Sequence, residues 1–186
     1  MRTAFNIAIG VWVLSEWGIR LRSHLHREGS RRDHGSLRVV AASIVAGVLG
    51  ALALARTIPG ADIPDALWFL VAGLVLMGAG IAFRQWAVAV LGRFFTVDVR
   101  VQPGQTVVER GPYRWLRHPS YTGLIATFLG LGLLFDNWAS LAVLAVVPTA
   151  GLVYRIHFEE RALLEGLGEP YRRFASSRPR LFPGVW

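Results

Sequence analysis

Five apolar runs punctuated by arginine fix the class of this chain before any motif is considered. They cover about residues 3–19, 39–55, 66–83, 121–135 and 138–154. Each approaches the ~20 residues that a helix of 1.5 Å rise needs to cross a bilayer. With 53% hydrophobic residues and a mean hydropathy of +0.43, a 186-residue chain carries more apolar surface than an ordinary soluble domain. Lipid offers no hydrogen-bond partners, so such runs are expected to be helices, which satisfy their own backbones. The charges then order them. All 20 basic residues are arginine, and the net charge is +8. Six arginines fall in 20–38, six in 84–120 and six in 155–180, whereas the intervening loop 56–65 carries only Arg56. Positive residues are retained on the cytoplasmic side. The expectation is an all-α integral membrane protein of the cell membrane, multi-pass, with five transmembrane helices. Its N-terminus is outside and its C-terminus cytoplasmic. Residues 1–186 form one integral-membrane domain. Helices one to three occupy 1–83; a helical hairpin (four and five) and a cytoplasmic tail occupy 84–186. The arginines flank apolar runs, so the basic balance points to the membrane and not to nucleic acid.

The first run is followed by Glu16-Trp17-Gly18-Ile19-Arg20, with no small-residue cleavage site, and reads as a retained helix. Glu16, near its end, reads first as a snorkelling interfacial group and second as an inward-facing polar one. His24, His26 and His34 lie in the arginine-rich loop without ligand spacing or a carboxylate cluster, so no metal is expected. The absence of cysteine excludes disulfides and thiol nucleophiles. Ala42, Ala46 and Gly50 form a small-residue stripe with Gly47, Ala51 and Ala55 beside it, and Gly73, Gly78 and Gly80 are expected helix contacts. The third helix continues through Arg84 to Leu91. Residues 94–101 read as extended. The fourth run spans only roughly 22 Å, short for a ~30 Å hydrocarbon core. Asp136-Asn137 turns the chain, Pro148 kinks the fifth helix, Gly168 ends it, and an amphipathic tail follows.

The segment Arg110-Gly-Pro-Tyr-Arg-Trp-Leu-Arg-His-Pro-Ser-Tyr-Thr-Gly123 joins the longest polar stretch to the fourth run. His118 precedes proline and is pushed out of helical geometry, while Pro119 suits the first helical position. A helix start there is an anion site in principle. Tyr113, Arg117, His118 and Tyr121 crowd the same place with donors and aromatic faces. Arg155 and Glu159, four apart at the end of the fifth run, share a helix face and fit either an exposed i,i+4 pair or a site.

Gly111-Pro112-Tyr113-Arg114-x-x-Arg117-His118-Pro119-x-Tyr121-x-Gly123 resembles the signature of the isoprenylcysteine carboxyl methyltransferase family. Leu91-Gly92-Arg93-Phe94-Phe95-Thr96, Thr106-Val107-Val108, Glu159-Glu160-x-x-Leu163 and Gly168-x-x-Tyr171 extend the resemblance over about residues 80–183. The resemblance implies S-adenosyl-L-methionine as cofactor. By position it implies Gln105, Thr106, Val107, Val108, Tyr113, His118, Pro119, Ser120, Tyr121 and Glu159 as cofactor-binding residues, and Arg155 as the catalytic residue that holds the acceptor. It thereby makes 84–186 the cofactor-binding half. The implied reaction is methyl transfer to a lipid-like acceptor entering from the bilayer, foremost carboxyl O-methylation of an isoprenoid-type substrate. The alternatives are a phospholipid or amine N-methyltransferase, with a base such as Glu160, a nicotinamide-dependent membrane reductase, and a non-catalytic scaffold. A carboxylate acceptor is ionised at pH 7 and needs no general base. An arginine can hold it bidentately.

Overall fold

A computed structural model describes residues 2–24, 30–31, 35–58, 60–63 and 66–184. All five apolar runs are helical: α1 Arg2–His24, α2 Ser36–Thr57, α3 Ala66–Leu91, α4 Pro119–Leu134 and α5 Trp138–Leu167. A short α6, Glu169–Ser176, follows. Single 3-10 turns cover Gly92–Phe94 and Gly111–Arg114. Apart from a single antiparallel bridge between Asp62 and Asn137, extended pairing among the described residues is two residues long: β1 (Ser30–Arg31) runs antiparallel to β2 (Arg100–Val101). The expected extended stretch at 94–101 thus shrinks to its last two residues.

The helix limits follow from local chemistry. The α3 helix runs past Arg84 to Leu91, as its apolar pattern requires, and stops before Gly92 at φ 60°. Pro119 is the first residue of α4. Asp136 takes φ 55° and Asn137 caps α5, its side-chain oxygen accepting from Ser140 N at 3.0 Å. Pro148 lies inside α5, and Gly168 ends that helix.

Among the described residues, three helices are long and apolar enough to cross a membrane: Ser36–Thr57, Leu67–Phe94 and Trp138–Leu167. Their outer faces carry Val45, Leu49, Leu67, Trp68, Val75 and Val146 exposed, an arrangement suited to lipid and not to water. The chain is an integral membrane protein. At 16 residues, α4 is also apolar but only about 24 Å long. His26, His34, Pro59 and Pro64 lie outside the described residues.

Helix packing departs from the expected hairpin. α4 and α5 do touch, but α4 packs chiefly on α3, and α5 chiefly on α2. Glycine sets the α3–α4 distance. A Cβ on Gly80 would stand 2.6 Å from Gly123 O and Thr127 N, and one on Gly130 would stand 2.5 Å from Met77 N. Gly73 faces Gly130 in the same way, one heptad before Gly80. Backbones therefore meet directly, as small residues allow in membranes. Gly78 is not among these contacts; a Cβ there would meet nothing within 4 Å. On α2 the contact falls beside the central stripe, on the flanking small residues. Ala42 and Ala46 are exposed, whereas Val40, Gly47 and Ala51 are buried against α5. Pro148 fills the notch at Gly47, and Ser140 donates to Ala51 O at 2.7 Å. The buried face advances by 3.6 residues per turn, so a strict i,i+4 stripe drifts off it.

The helices alternate between two ends. At one end, Trp138 N donates to Ala61 O (2.8 Å) and Ile63 N to Asp136 O (3.2 Å), tying the α2–α3 and α4–α5 connections together. At the other end gather the end of α1, the start of α2, the segment 92–118, the end of α5 and the tail.

The glycine contact makes a prediction that propensity does not. Gly80→Leu and Gly78→Leu both replace a poor helix former by a good one. Gly80→Leu should nevertheless lose about 1–3 kcal/mol or more, since backbone would have to move. Gly78→Leu should be neutral or stabilising. Melting of both variants in detergent decides the matter, and equal behaviour would refute the close approach.

Candidate active site

The signature stretch is a folded scaffold. Its 3-10 turn buries Pro112 and Tyr113. Gly111, at φ 57°, packs so close to Val90 that a Cβ would lie 2.8 Å from it. His118 is the residue before α4, non-helical at φ −124°, ψ 57°, as its following proline requires. Its ring is 5% exposed and stacks on Tyr121 with centroids 5.6 Å apart and 13° between planes.

The start of α4 is not the open anion site that its sequence implies. The chain's own C-terminal segment lies across it. Arg117 N donates to Pro179 O and His118 N to Arg180 O, both at 3.0 Å, and Thr122 Oγ1 donates to Leu181 O at 2.8 Å. Tyr121 N turns back to His118 O at 3.0 Å. Pro119 has no N–H. Three of the four positions that a helix start leaves open are thus already accounted for.

Arg155 and Glu159 are joined, but through a third residue and not as a surface pair. Tyr121 Oη donates to Glu159 Oε2 at 2.6 Å and accepts from Arg155 Nε at 2.8 Å. Arg155 is 4% exposed; Nη1 donates to Ser36 Oγ at 3.2 Å and Nη2 to the carbonyl of Val97. Three segments therefore aim one guanidinium. Glu160 faces the other way. It accepts from Arg117 Nη1 at 2.7 Å and Arg180 Nε at 3.0 Å, and His118 Nε2 lies 3.3 Å from it. Its carboxylate is engaged on both oxygens and is not the open base expected of an amine methyltransferase.

A second ion pair lies beneath. Arg84 Nε and Nη2 meet Glu16 Oε1 and Oε2 at 2.5 and 2.9 Å, and Arg84 Nη1 donates to Ser120 Oγ at 2.7 Å. Glu16 is therefore an inward-facing partner, not a snorkelling one. The long span between residues 16 and 84 hid this pair. An arginine followed by seven more apolar-rich helical positions was the available hint. Arg180 and Ser36 were missed as site supports for the same reason: their roles depend on partners far away in the chain.

Most of these groups, though not Ser36, Glu160 or Arg180, line one cavity of about 1360 Å³, counted out to its open mouth. Gln105, Thr106, Val107, Val108, Tyr113, His118, Ser120, Tyr121, Arg155 and Glu159 all line it. Pro119 does not; it is fully buried behind the wall as the first residue of α4. Gln105 folds its amide oxygen onto Gln102 N at 2.9 Å, closing its own turn at the rim. Burial pushes the Tyr113 phenol well above its ordinary range, Glu159 and Tyr121 add to this, and Arg84 opposes it. Tyr113 is thus a neutral phenol at the wall. Opposite the polar side, Leu37, Val40, Ala41 and Ile44 present one face of α2. A polar wall and an apolar wall meet at Arg155.

The arrangement has relatives. Residues 71–165 match the Isoprenylcysteine carboxyl methyltransferase (ICMT) family. A Bacillus subtilis protein, described as uncharacterized protein YpbQ, is 32% identical over 98 residues, covering 53% of this chain and 58% of that one. Protein-S-isoprenylcysteine O-methyltransferase B of Arabidopsis thaliana is 31% identical over 120 residues, covering 63% and 61%. The chain spans about six tenths of the length of these relatives. The solved structure of a eukaryotic intramembrane Ras methyltransferase superimposes with a TM-score of 0.65 at 22% identity, over 78% of this chain and 52% of that one, which is a likeness of fold. With its matched segment covering half its length and including the whole signature, this chain belongs to the isoprenylcysteine carboxyl methyltransferase family.

Proposed function

We propose that this protein is an S-adenosyl-L-methionine-dependent methyltransferase acting on a lipophilic acceptor taken from the bilayer, most directly the carboxylate of an isoprenoid-type molecule. One observation carries the reading: Arg155 is fixed by Tyr121, Ser36 and Val97 where the polar wall meets the apolar face of α2. An acceptor with an apolar tail and an anionic head fits that junction.

The donor set also suits the cofactor. Tyr113 and Tyr121 offer aromatic faces to a sulfonium or an adenine. Glu159 offers a carboxylate to an amine or to ribose hydroxyls. When bound, S-adenosyl-L-methionine supplies an activated methyl group on sulfur. The chain's residues then orient and exclude water. Arg155 holds the acceptor carboxylate, which is already ionised and gives up no proton. Tyr121 keeps Arg155 and Glu159 a fixed distance apart, so acceptor and donor are placed together, the dominant requirement of an in-line displacement. The helical walls keep bulk water from competing. An amine acceptor would need a base. Glu160 is engaged by Arg117, Arg180 and His118, and Glu16 by Arg84, so the carboxylate reading is the better supported.

The proposed topology has five spans in one domain, with the arginine-rich end, the cavity and the tail on the cytoplasmic face of the cell membrane. Its support is the gathering of the three arginine-rich segments at one end of alternating helices.

Arg155→Lys keeps the charge but loses the planar fork. Turnover on a prenyl-acid panel should fall about a hundredfold or more, with S-adenosylhomocysteine affinity nearly unchanged. Glu159→Gln should weaken S-adenosylhomocysteine binding instead. Full methylation of prenyl acids by Arg155→Lys, or methylation of lipid amines alone, would overturn the carboxylate mechanism.

A reporter fused after Trp186 should be active only in the cytoplasm, and one inserted at residues 60–63 only outside. Cytoplasmic activity at both places would remove the five-span arrangement.

A further inference from the structure

Tyr171 is not needed by the mechanism above, yet it faces the same cavity. It projects from α6, is 4% exposed, and lines the wall. Its hydroxyl is buried and has no hydrogen-bond partner among the described residues. A buried hydroxyl without a partner is costly and uncommon in a folded protein. Tyr121, a few residues from the signature histidine, shows the usual outcome in this protein: its hydroxyl both donates and accepts.

The surroundings limit what Tyr171 can meet. Leu163, Leu167 and Phe174 line the cavity beside it, and the Phe174 ring lies 5.8 Å away, centroid to centroid. Burial first, then the charges of Glu160 and Glu159, push its phenol above the ordinary range, so it is a neutral donor and acceptor. The nearby cations Arg117 and Arg180 are held by Glu160. The carboxylate of an amino-acid end would therefore meet only cations already engaged by Glu160, with the Glu159 carboxylate close by. A flat neutral group with hydrogen-bonding edges would find an apolar slot and one phenol.

We propose that the Tyr171 hydroxyl is a cofactor-binding group of the cavity, hydrogen-bonding the nucleoside part of the S-adenosyl cofactor and not its amino-acid end. This rests on the methyltransferase reading above. Tyr171→Phe removes the hydroxyl and leaves the ring and its packing, so the fold should be retained or slightly stabilised.

The test is calorimetry on the full chain in detergent, with S-adenosylhomocysteine titrated directly and 5′-methylthioadenosine, which lacks the amino-acid end, titrated by displacement. Tyr171→Phe should weaken both ligands by about threefold to tenfold, as expected for loss of one neutral hydrogen bond. Wild-type affinity of the variant for both ligands overturns the proposal alone. Weakening of S-adenosylhomocysteine with unchanged 5′-methylthioadenosine binding also overturns it, by assigning the hydroxyl to the amino-acid end. So does failure of 5′-methylthioadenosine to displace S-adenosylhomocysteine from the wild-type protein. If the wild-type protein binds neither ligand, the methyltransferase reading falls together with this one.

Discussion

A guanidinium that is 4% exposed in a lipid-facing helix bundle must be matched from several sides, and Arg155 organises its surroundings accordingly. Tyr121 reaches it from α4, Ser36 from α2 and the Val97 carbonyl from the segment after α3. Stripping an ion or a polar group of its partner is expensive at such burial, far more so than forming the set is favourable. The arrangement therefore specifies position more than it adds stability. Tyr121 carries the same constraint on to Glu159, and its ring carries it to His118.

From His118 the constraint passes to Glu160 and so to the C-terminal segment. Glu160 gathers Arg117, which lies just before α4, and Arg180, which lies in the tail. Backbone bonds from Arg117 and His118 to Pro179 and Arg180 lie alongside these ion pairs. Two adjacent glutamates on α5 thus take opposite duties. Glu159 faces the cavity with Tyr121, and Glu160 fastens the chain's end over the start of α4. Neighbouring positions on a helix point about 100° apart, which is what allows the division.

Much of this was legible because it is local. Apolar runs marked helices α1 to α5, Pro119 and Gly168 marked helix limits, and Asp136-Asn137 marked the turn. The residues expected to hold cofactor and acceptor do converge on one cavity, all but Pro119. What the sequence hid is what depends on long-range partners. Glu16 meets Arg84 across 68 positions, and Arg180 meets Glu160 across a chain reversal. No periodicity encodes either. Gly78 was misjudged because small residues mark a packing face only when the neighbouring helix lies there, and its neighbour lies over Gly73 and Gly80 instead. The α4 terminus was misjudged for a related reason: its N–H groups were counted without the tail that covers them.

The shortness of α4 explains why the cavity lies where it does. Gly80 meets Gly123, so the start of α4 stands level with about Arg84 on α3, and Arg84 indeed bonds Ser120. From there α3 continues to Leu91, about 10 Å further at 1.5 Å per residue. On the other side α5 meets Tyr121 at Arg155 and continues to Leu167, about 18 Å further. The first turn of α4 is thus a floor, and the extensions of α3 and α5 are walls. The segment 92–118 and α6 close the space between them. A helix of ordinary spanning length in place of α4 would fill this volume with its own backbone. The polar signature can lie at the depth of Leu37 and Ile44 on α2 only because α4 starts low. The short fourth run, an anomaly when judged against bilayer thickness, is what brings charged groups and an apolar helix face into one chamber.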